Sequence, residues 1–115
     1  MNELKSEIII NAGIRAAERN FTNAYVMKSG DKDAGAIFVK IDTLDGKAKL
    51  FVRSITYDFD NDKNKVSFED LYSSKSMSVD EIDKRISKEI EIDRDCWVVE
   101  IENKKGYNPF ENLNC

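Results

Sequence analysis

The sequence contains no histidine, and it has only 1 proline, 5 glycines and 2 cysteines among its 115 residues. Without histidine, activation of a nucleophile by a Ser-His or Cys-His pair is excluded, and so are the common histidine zinc sites. Any chemistry in this chain would depend on carboxylates, lysine, tyrosine or a thiol. The scarcity of proline and glycine, together with 41% hydrophobic and 35% charged residues, indicates a globular chain rather than a disordered one.

Long apolar runs are absent as well. The run Ile8-Ile9-Ile10 near the start is far shorter than the roughly 20 residues that cross a bilayer, and two acids, Glu3 and Glu7, lie ahead of it where a secretory signal needs a basic start. We therefore expect a cytoplasmic protein with no membrane interaction, in which Cys96 and Cys115 are reduced. A net charge of -4 disfavours nucleic acid as the main partner, and the length fits a single domain over residues 1–115.

Two helices are predicted from apolar residues that recur at three- and four-residue spacing. The first covers residues 4–20, with Asn2 or Ser6 as its cap and Asn20 in the left-handed position at its end. The second begins at the capping-box pattern Ser78-Val79-Asp80-Glu81, and its apolar stripe continues to Ile90.

The strands are predicted from apolar segments that end at turn residues. They are residues 24–28, 36–42, 47–57, 66–69 and 96–102. The order of helix, four strands, helix and strand predicts an α+β fold, a two-layer sandwich of a mainly antiparallel sheet with both helices on one face. Residues 103–115 are expected to form a loosely docked tail, in which Tyr107, Phe110 and Leu113 could contact a sheet edge.

The clearest turn signal is Asp45-Gly46, a dipeptide typical of two-residue hairpin loops. Such a loop would place Ile41 opposite Leu50 on the core face of the hairpin. The opposite face would then carry Lys40 across from Phe51, and it would be either solvated or functional.

Four stretches together resemble a known family. They are Leu4-Lys5-Ser6-Glu7, residues 33–40 with Asp45-Gly46, the helix over 79–89, and Trp97-Val98-Val99-Glu100-Ile101-Glu102. In this order and spacing they resemble the alphaproteobacterial family called domain of unknown function 1491. The resemblance covers about the whole length apart from the extreme tail, and residues 57–77 and the tail depart most from the family. The resemblance implies an α+β fold and a bacterial cytoplasmic setting, and it implies no activity or site residues.

The predicted wet face of the hairpin is a candidate ligand site, because it carries basic side chains around an aromatic ring. Its members are Lys40, Asp42, Lys49, Phe51, Arg53 and, if the last strand pairs nearby, Glu100. Such a set could hold a phosphorylated or otherwise anionic ligand. The alternative is a solvated sheet face with weak cross-strand ion pairs.

A second candidate is an acidic loop with part of a calcium-binding pattern. Asp58, Asp60, Asp62, Asn64 and Glu69 occupy positions 1, 3, 5, 7 and 12 of that pattern. Lys63 stands where the sharp turn requires glycine, and strands rather than helices are predicted on both sides. Weak Ca²⁺ binding and an acidic hairpin tip are therefore both open.

Two classes of function remain open. The preferred one is a non-catalytic binding or protein-interaction module, with an unknown protein or a second copy as partner, because an uncovered sheet edge must be covered or paired. Asn11, Arg15 and Arg19 on the first helix could also dock an acidic partner. The alternative is a small enzyme that acts on an anionic metabolite through Lys40, Asp42 and Glu100. We predict no cofactor and assign no catalytic residue.

Overall fold

The computed structural model describes residues 5–111 and 113, which form two helices and six strands. Helix α1 spans Ser6–Arg19 and helix α2 spans Val79–Ile92. The strands are β1 (Asn23–Lys28), β2 (Ile37–Asp42), β3 (Lys47–Asp58), β4 (Lys63–Asp70), β5 (Met77–Ser78) and β6 (Trp97–Glu102). The predicted α+β class and the order of the main elements are confirmed. The short strand β5 was not predicted.

The strands form one sheet with the order β1-β6-β2-β3-β4, and β5 pairs with the start of β3. All pairings are antiparallel except that of β2 with β6, which run parallel. The last strand of the chain therefore lies inside the sheet, and β1 and β4 are the outer strands.

The two helices cover opposite faces of the sheet, so the chain has three layers. On the α1 face, Ile9 shares a buried cluster with Val39, and on the α2 face Ile82 shares another with Leu50. The predicted arrangement of two layers with both helices on one face is therefore wrong. Its physical reason lies in β2, where five of six residues are buried although successive side chains point to opposite faces. A strand that is apolar on both faces requires a cover on each.

The loop between β2 and β3 contains three residues, Leu44-Asp45-Gly46, and it is closed by the Thr43 N–H, which donates to the Lys47 carbonyl at 3.1 Å. Leu44 and Gly46 have positive φ angles of 61° and 83°. The predicted two-residue loop is wrong, and the pairing is shifted by one residue, so that Lys40 lies opposite Leu50. Such a shift moves every β3 side chain to the other face relative to β2.

Helix α1 ends in a Schellman motif, in which backbone N–H groups beyond the helix bond to its last carbonyls. The Thr22 N–H donates to the Ala17 carbonyl at 2.9 Å, and the Phe21 N–H donates to the Glu18 carbonyl at 3.1 Å. Phe21 takes the left-handed position with a φ of 54°. Asn20, which was predicted there, has a φ of -102°, so the motif lies one residue later than expected.

The starts of the two helices differ. At α2, Ser78 Oγ accepts the Glu81 N–H at 3.2 Å, which confirms the predicted cap. At α1, Ser6 is not the cap but the first helical residue, and its buried hydroxyl donates to the Gly35 carbonyl. The other predicted cap, Asn2, lies outside the described residues. Over the described range, neither helix is long and apolar enough to span a bilayer.

The segment after β6 turns back onto the α1 face. Phe110 is completely buried there, and its ring meets Phe68 edge to face with the centroids 5.5 Å apart. A Cβ on Gly13 would overlap this ring, so α1 approaches closely only because residue 13 is glycine. A loosely docked tail was predicted for residues 103–115, but Phe110 belongs to the core.

Candidate functional site

The six residues of the predicted ligand site are divided between the two faces of the sheet. The α2 face carries Lys40, Asp42 and Glu100, and the α1 face carries Lys49, Phe51 and Arg53. The structure does not bring the set together, because the shifted hairpin pairing moves the three β3 members to the α1 face.

Lys40 is a buried charge on the α2 face, with its side chain only 8% exposed. Its Nζ donates to Asp83 Oδ1 at 2.8 Å and lies 3.2 Å from Glu100 Oε1. Burial alone would lower the pKa of Lys40, but the hydrogen bonds to these carboxylates outweigh it, and the pKa is raised above its ordinary value of 10.5. The ammonium group is therefore charged at neutral pH and already holds two carboxylates.

This cluster joins three elements of the fold. Lys40 and Glu100 are neighbours in the parallel pairing of β2 with β6, and Asp83 reaches them from α2. An anionic ligand would have to compete with both carboxylates for the same ammonium group. The geometry thus suits fixing α2 on the sheet better than binding an anion.

The other half of the predicted site is covered by α1 and the tail. Phe51 is 7% exposed and belongs to the buried cluster of the α1 face. Arg53 Nη1 donates to Ser6 Oγ at 3.4 Å, and the Lys49 side chain lies beside Gly106. Ligand binding by these residues stays a prediction. Their observed contacts are with α1 and with the segment after β6, which pack over this face of the sheet.

The acidic loop forms the tip of the hairpin between β3 and β4. The Asp58 carboxylate accepts the Asp60 N–H and both the N–H and the Nδ2 of Asn61, and these bonds, the Asn61 side chain foremost, hold its pKa below the ordinary 3.8. Glu69 stands six residues along β4 from Lys63, roughly 20 Å away at about 3.3 Å per residue.

A calcium loop needs its last carboxylate close to the first ones, and Glu69 does not meet that need. Within the described residues, no group of three or more histidine, cysteine, aspartate or glutamate side chains could hold a metal ion. Calcium binding at Asp58, Asp60, Asp62, Asn64 and Glu69 stays a prediction.

The outer edge of β1 is a candidate site that the sequence did not reveal. β1 pairs with β6 on one side, and no described strand lies on its other side. Four large apolar side chains on and beside it are exposed, and we call them the β1 edge patch: Phe21 at 98%, Tyr25 at 47%, Val26 at 43% and Met27 at 61%. The sequence signal was ambiguous, because consecutive apolar residues are also typical of an interior strand.

A β-bulge at Met27 limits the regular part of this edge. Residues 23–26 pair in constant register with residues 102–99 of β6, and the register shifts between Val26 and Lys28. Bulges restrict the pairing of an edge with other strands. Residues 23–26 are therefore the stretch with the geometry to accept an added strand.

Phe21 lies just before β1, and its side chain contributes little to the stability of the free chain. Its side chain is almost fully exposed, and its left-handed backbone costs about 1–2 kcal/mol relative to glycine. A residue that is both strained and exposed does not stabilise the monomer. Contact with a partner would explain its presence.

The exposed stripe of α1 lies elsewhere. Asn11, Arg15 and Arg19 are all exposed, on the side of the helix opposite its buried residues, so they point away from the sheet. Docking of an acidic partner on this stripe stays a prediction.

The chain is similar to one protein family over nearly its whole length. A family model described as "Protein of unknown function (DUF1491)" matches residues 4–111. The crystal structure of a DUF1491 family protein from Caulobacter crescentus CB15 is 32% identical, with a TM-score of 0.75, over 96% of this chain and 97% of that chain. The solution structure of a protein from A. tumefaciens is 30% identical, with a TM-score of 0.77, over 97% and 95%. No curated protein matches the chain.

Proposed function

This chain belongs to the DUF1491 family, and from that premise we propose that it is a non-catalytic protein-interaction module that binds its partner along the outer edge of β1. The observation that carries the proposal is the β1 edge patch, where large apolar side chains surround an edge that no described strand covers. Uncovered edges and clustered apolar exposure both mark interaction surfaces.

The edge offers the two kinds of contact that strand addition uses. Residues 23–26 supply backbone N–H and carbonyl groups in regular geometry, and Tyr25 and Val26 flank them on opposite faces. Phe21 supplies an aromatic anchor, and full burial of its ring against a partner would contribute about 1.5–3 kcal/mol.

The enzyme alternative is less well supported. Lys40 is engaged by two carboxylates, and burial raises the pKa of the Cys96 thiol, which disfavours the reactive thiolate. The open pocket beside Asp83, about 440 Å³, is lined by α2 side chains from Asp80 to Lys88. Among the described residues, this pocket therefore offers a substrate groups from one helix only, whereas an active site usually combines groups from several elements.

The proposal includes a bacterial cytoplasmic setting. The similar structures come from bacteria, and Cys96 is a free, buried thiol, as is usual in a reducing compartment.

The test is native mass spectrometry of the tagged chain, purified under mild conditions from its own cells. The edge variant is Met27→Lys, and the matched control is Ile92→Lys, which places the same charge on another exposed apolar residue, at the end of α2. Thermal melts of both variants check that the fold is retained.

We expect the wild-type chain to carry a partner at defined stoichiometry, Met27→Lys to lose it, and Ile92→Lys to keep it. A wild-type chain that is purely monomeric would refute the proposal. So would a partner that survives the edge variant.

A further inference from the structure

The sheet places carboxylates directly behind the β1 edge on the α2 face. Glu102 is the β6 neighbour of Asn23, and Asp42 is in turn the β2 neighbour of Glu102. Two residues along, Glu100 is the β6 neighbour of Tyr25. Since neighbouring strands are about 4.8 Å apart, these acids lie one or two strands from the uncovered edge.

This acidic surface is incompletely neutralised. Lys40 pairs with Asp83 and Glu100, but among the described residues the Glu102 carboxylate accepts from neutral side chains only, Asn23 Nδ2 at 3.3 Å and the Tyr25 hydroxyl at 3.5 Å. Asp42 likewise accepts the N–H of Leu44 at 2.8 Å. In the part of the chain that the structure describes, neither Asp42 nor Glu102 forms an ion pair. Negative charge thus remains beside the edge.

The opposite face of the same edge has a different character. Ala24 and Val26 point to the α1 face, where Ala24 packs against the buried cluster. Arg15 and Arg19 stand on the far side of α1 and do not face the edge. A strand added to β1 would therefore meet carboxylates with one set of alternate side chains and apolar groups with the other.

A second copy of the chain suits this edge less well. Each copy carries a net charge of -4, and pairing two β1 strands into a continuous sheet would place both acidic surfaces on the same side. The cation of the strand itself, Lys28, donates to the carbonyls of Arg94 and Cys96 and is not aimed at a neighbouring acid.

We propose that the partner of the β1 edge is an extended protein segment in which basic side chains alternate with apolar ones. The apolar residues lie over Val26 and the end of α1, and the basic residues lie over Tyr25 and face Glu102 and Asp42. This proposal rests on the proposed function, and it adds the chemistry of the segment that the edge selects.

The experiment is selection from a random peptide display library against the immobilised full chain, with Met27→Lys as the counter-selection. Peptides that bind the wild type and not Met27→Lys are sequenced. The strongest is synthesised and titrated against the wild type, against Asp42→Asn/Glu102→Gln, and against the control Glu91→Gln/Asp95→Asn. Both double variants change the net charge equally, and both control residues are exposed, Glu91 in the last turn of α2 and Asp95 in the loop that follows it.

We expect the selected peptides to alternate basic and apolar residues. Asp42→Asn/Glu102→Gln should weaken binding by about three- to tenfold, with a shallower salt dependence, and the control should leave it unchanged. Selected peptides that are acidic or uncharged would overturn the inference about charge while leaving the edge as the binding site. If the wild type forms dimers and Met27→Lys abolishes them, the edge would remain the binding site, but its partner would be a second copy of the chain and the inference about a basic segment would be overturned. The absence of any peptide that discriminates wild type from Met27→Lys, together with a monomeric chain, would overturn both proposals.

Discussion

Replacing Phe21 by glycine should stabilise the free chain and weaken its partner complex. Glycine relieves a left-handed backbone cost of about 1–2 kcal/mol. It also makes the unfolded chain more flexible, which destabilises the fold by about 0.4–1 kcal/mol and offsets part of that gain. The phenylalanine ring is 98% exposed, so its removal loses almost no buried area. The net stabilisation is about 1 kcal/mol, or roughly 4 °C in Tm for a chain of this size.

The control is Phe21→Ala, which removes the same ring but keeps a residue that disfavours positive φ. Its stability should match the wild type within about 0.5 kcal/mol in urea unfolding. Both variants should lose partner affinity by about 10- to 100-fold, since each removes the aromatic anchor. The reasoning about strain is refuted if glycine and alanine give the same stability. The reasoning about binding is refuted if both variants retain the partner.

Three further changes test the fold that positions the edge. Lys40→Met should destabilise the chain by about 1–3 kcal/mol in urea unfolding at neutral pH, because Asp83 and Glu100 lose their shared cation. Since the folded pKa of Lys40 is raised above the ordinary 10.5, its contribution is complete below about pH 10.5 and is lost as pH rises through the folded pKa, so the gap between variant and wild type should narrow as the pH rises above 10.5. Gly13→Ala should cost about 1–3 kcal/mol by collision with the Phe110 ring, and it should become neutral or slightly stabilising in a Phe110→Ala background. Ser78→Ala should cost about 1 kcal/mol through loss of the cap on the Glu81 N–H, and an unchanged melting temperature would contradict that role.

The local elements were predictable because each depends on near neighbours in sequence. The cap at Ser78 and the apolar stripe through Ile82 and Ile86 gave α2 its start and its buried side. The alternation of Trp97, Val99 and Ile101 placed all three on one face of β6, as the buried cluster of the α1 face confirms.

The layers were not predictable, because they depend on which strands become neighbours. Inserting β6 between β1 and β2 buries both faces of the central strands and calls for a helix on each side. The register of one hairpin depended on Leu44, which takes a positive φ that few such residues adopt. That single residue places Lys40 and Phe51 on opposite faces of the sheet, so the six residues of the predicted ligand site do not lie together.

The β1 edge was hidden for the same reason. A strand is an edge only by its place in the sheet, and nothing within residues 23–28 encodes that place. The positive φ of Phe21 was not predictable either, because the preceding residue, Asn20, is of a type that adopts the left-handed conformation more often.

The most direct test of the central claim is hydrogen–deuterium exchange of the native complex compared with the free chain, read by mass spectrometry. If the partner adds to the β1 edge, amides within residues 23–26 should become protected on binding, while those of α2 and of the hairpin tip at residues 59–62 remain unchanged. Protection confined to α2 or to the hairpin tip, with β1 unaltered, would contradict the account.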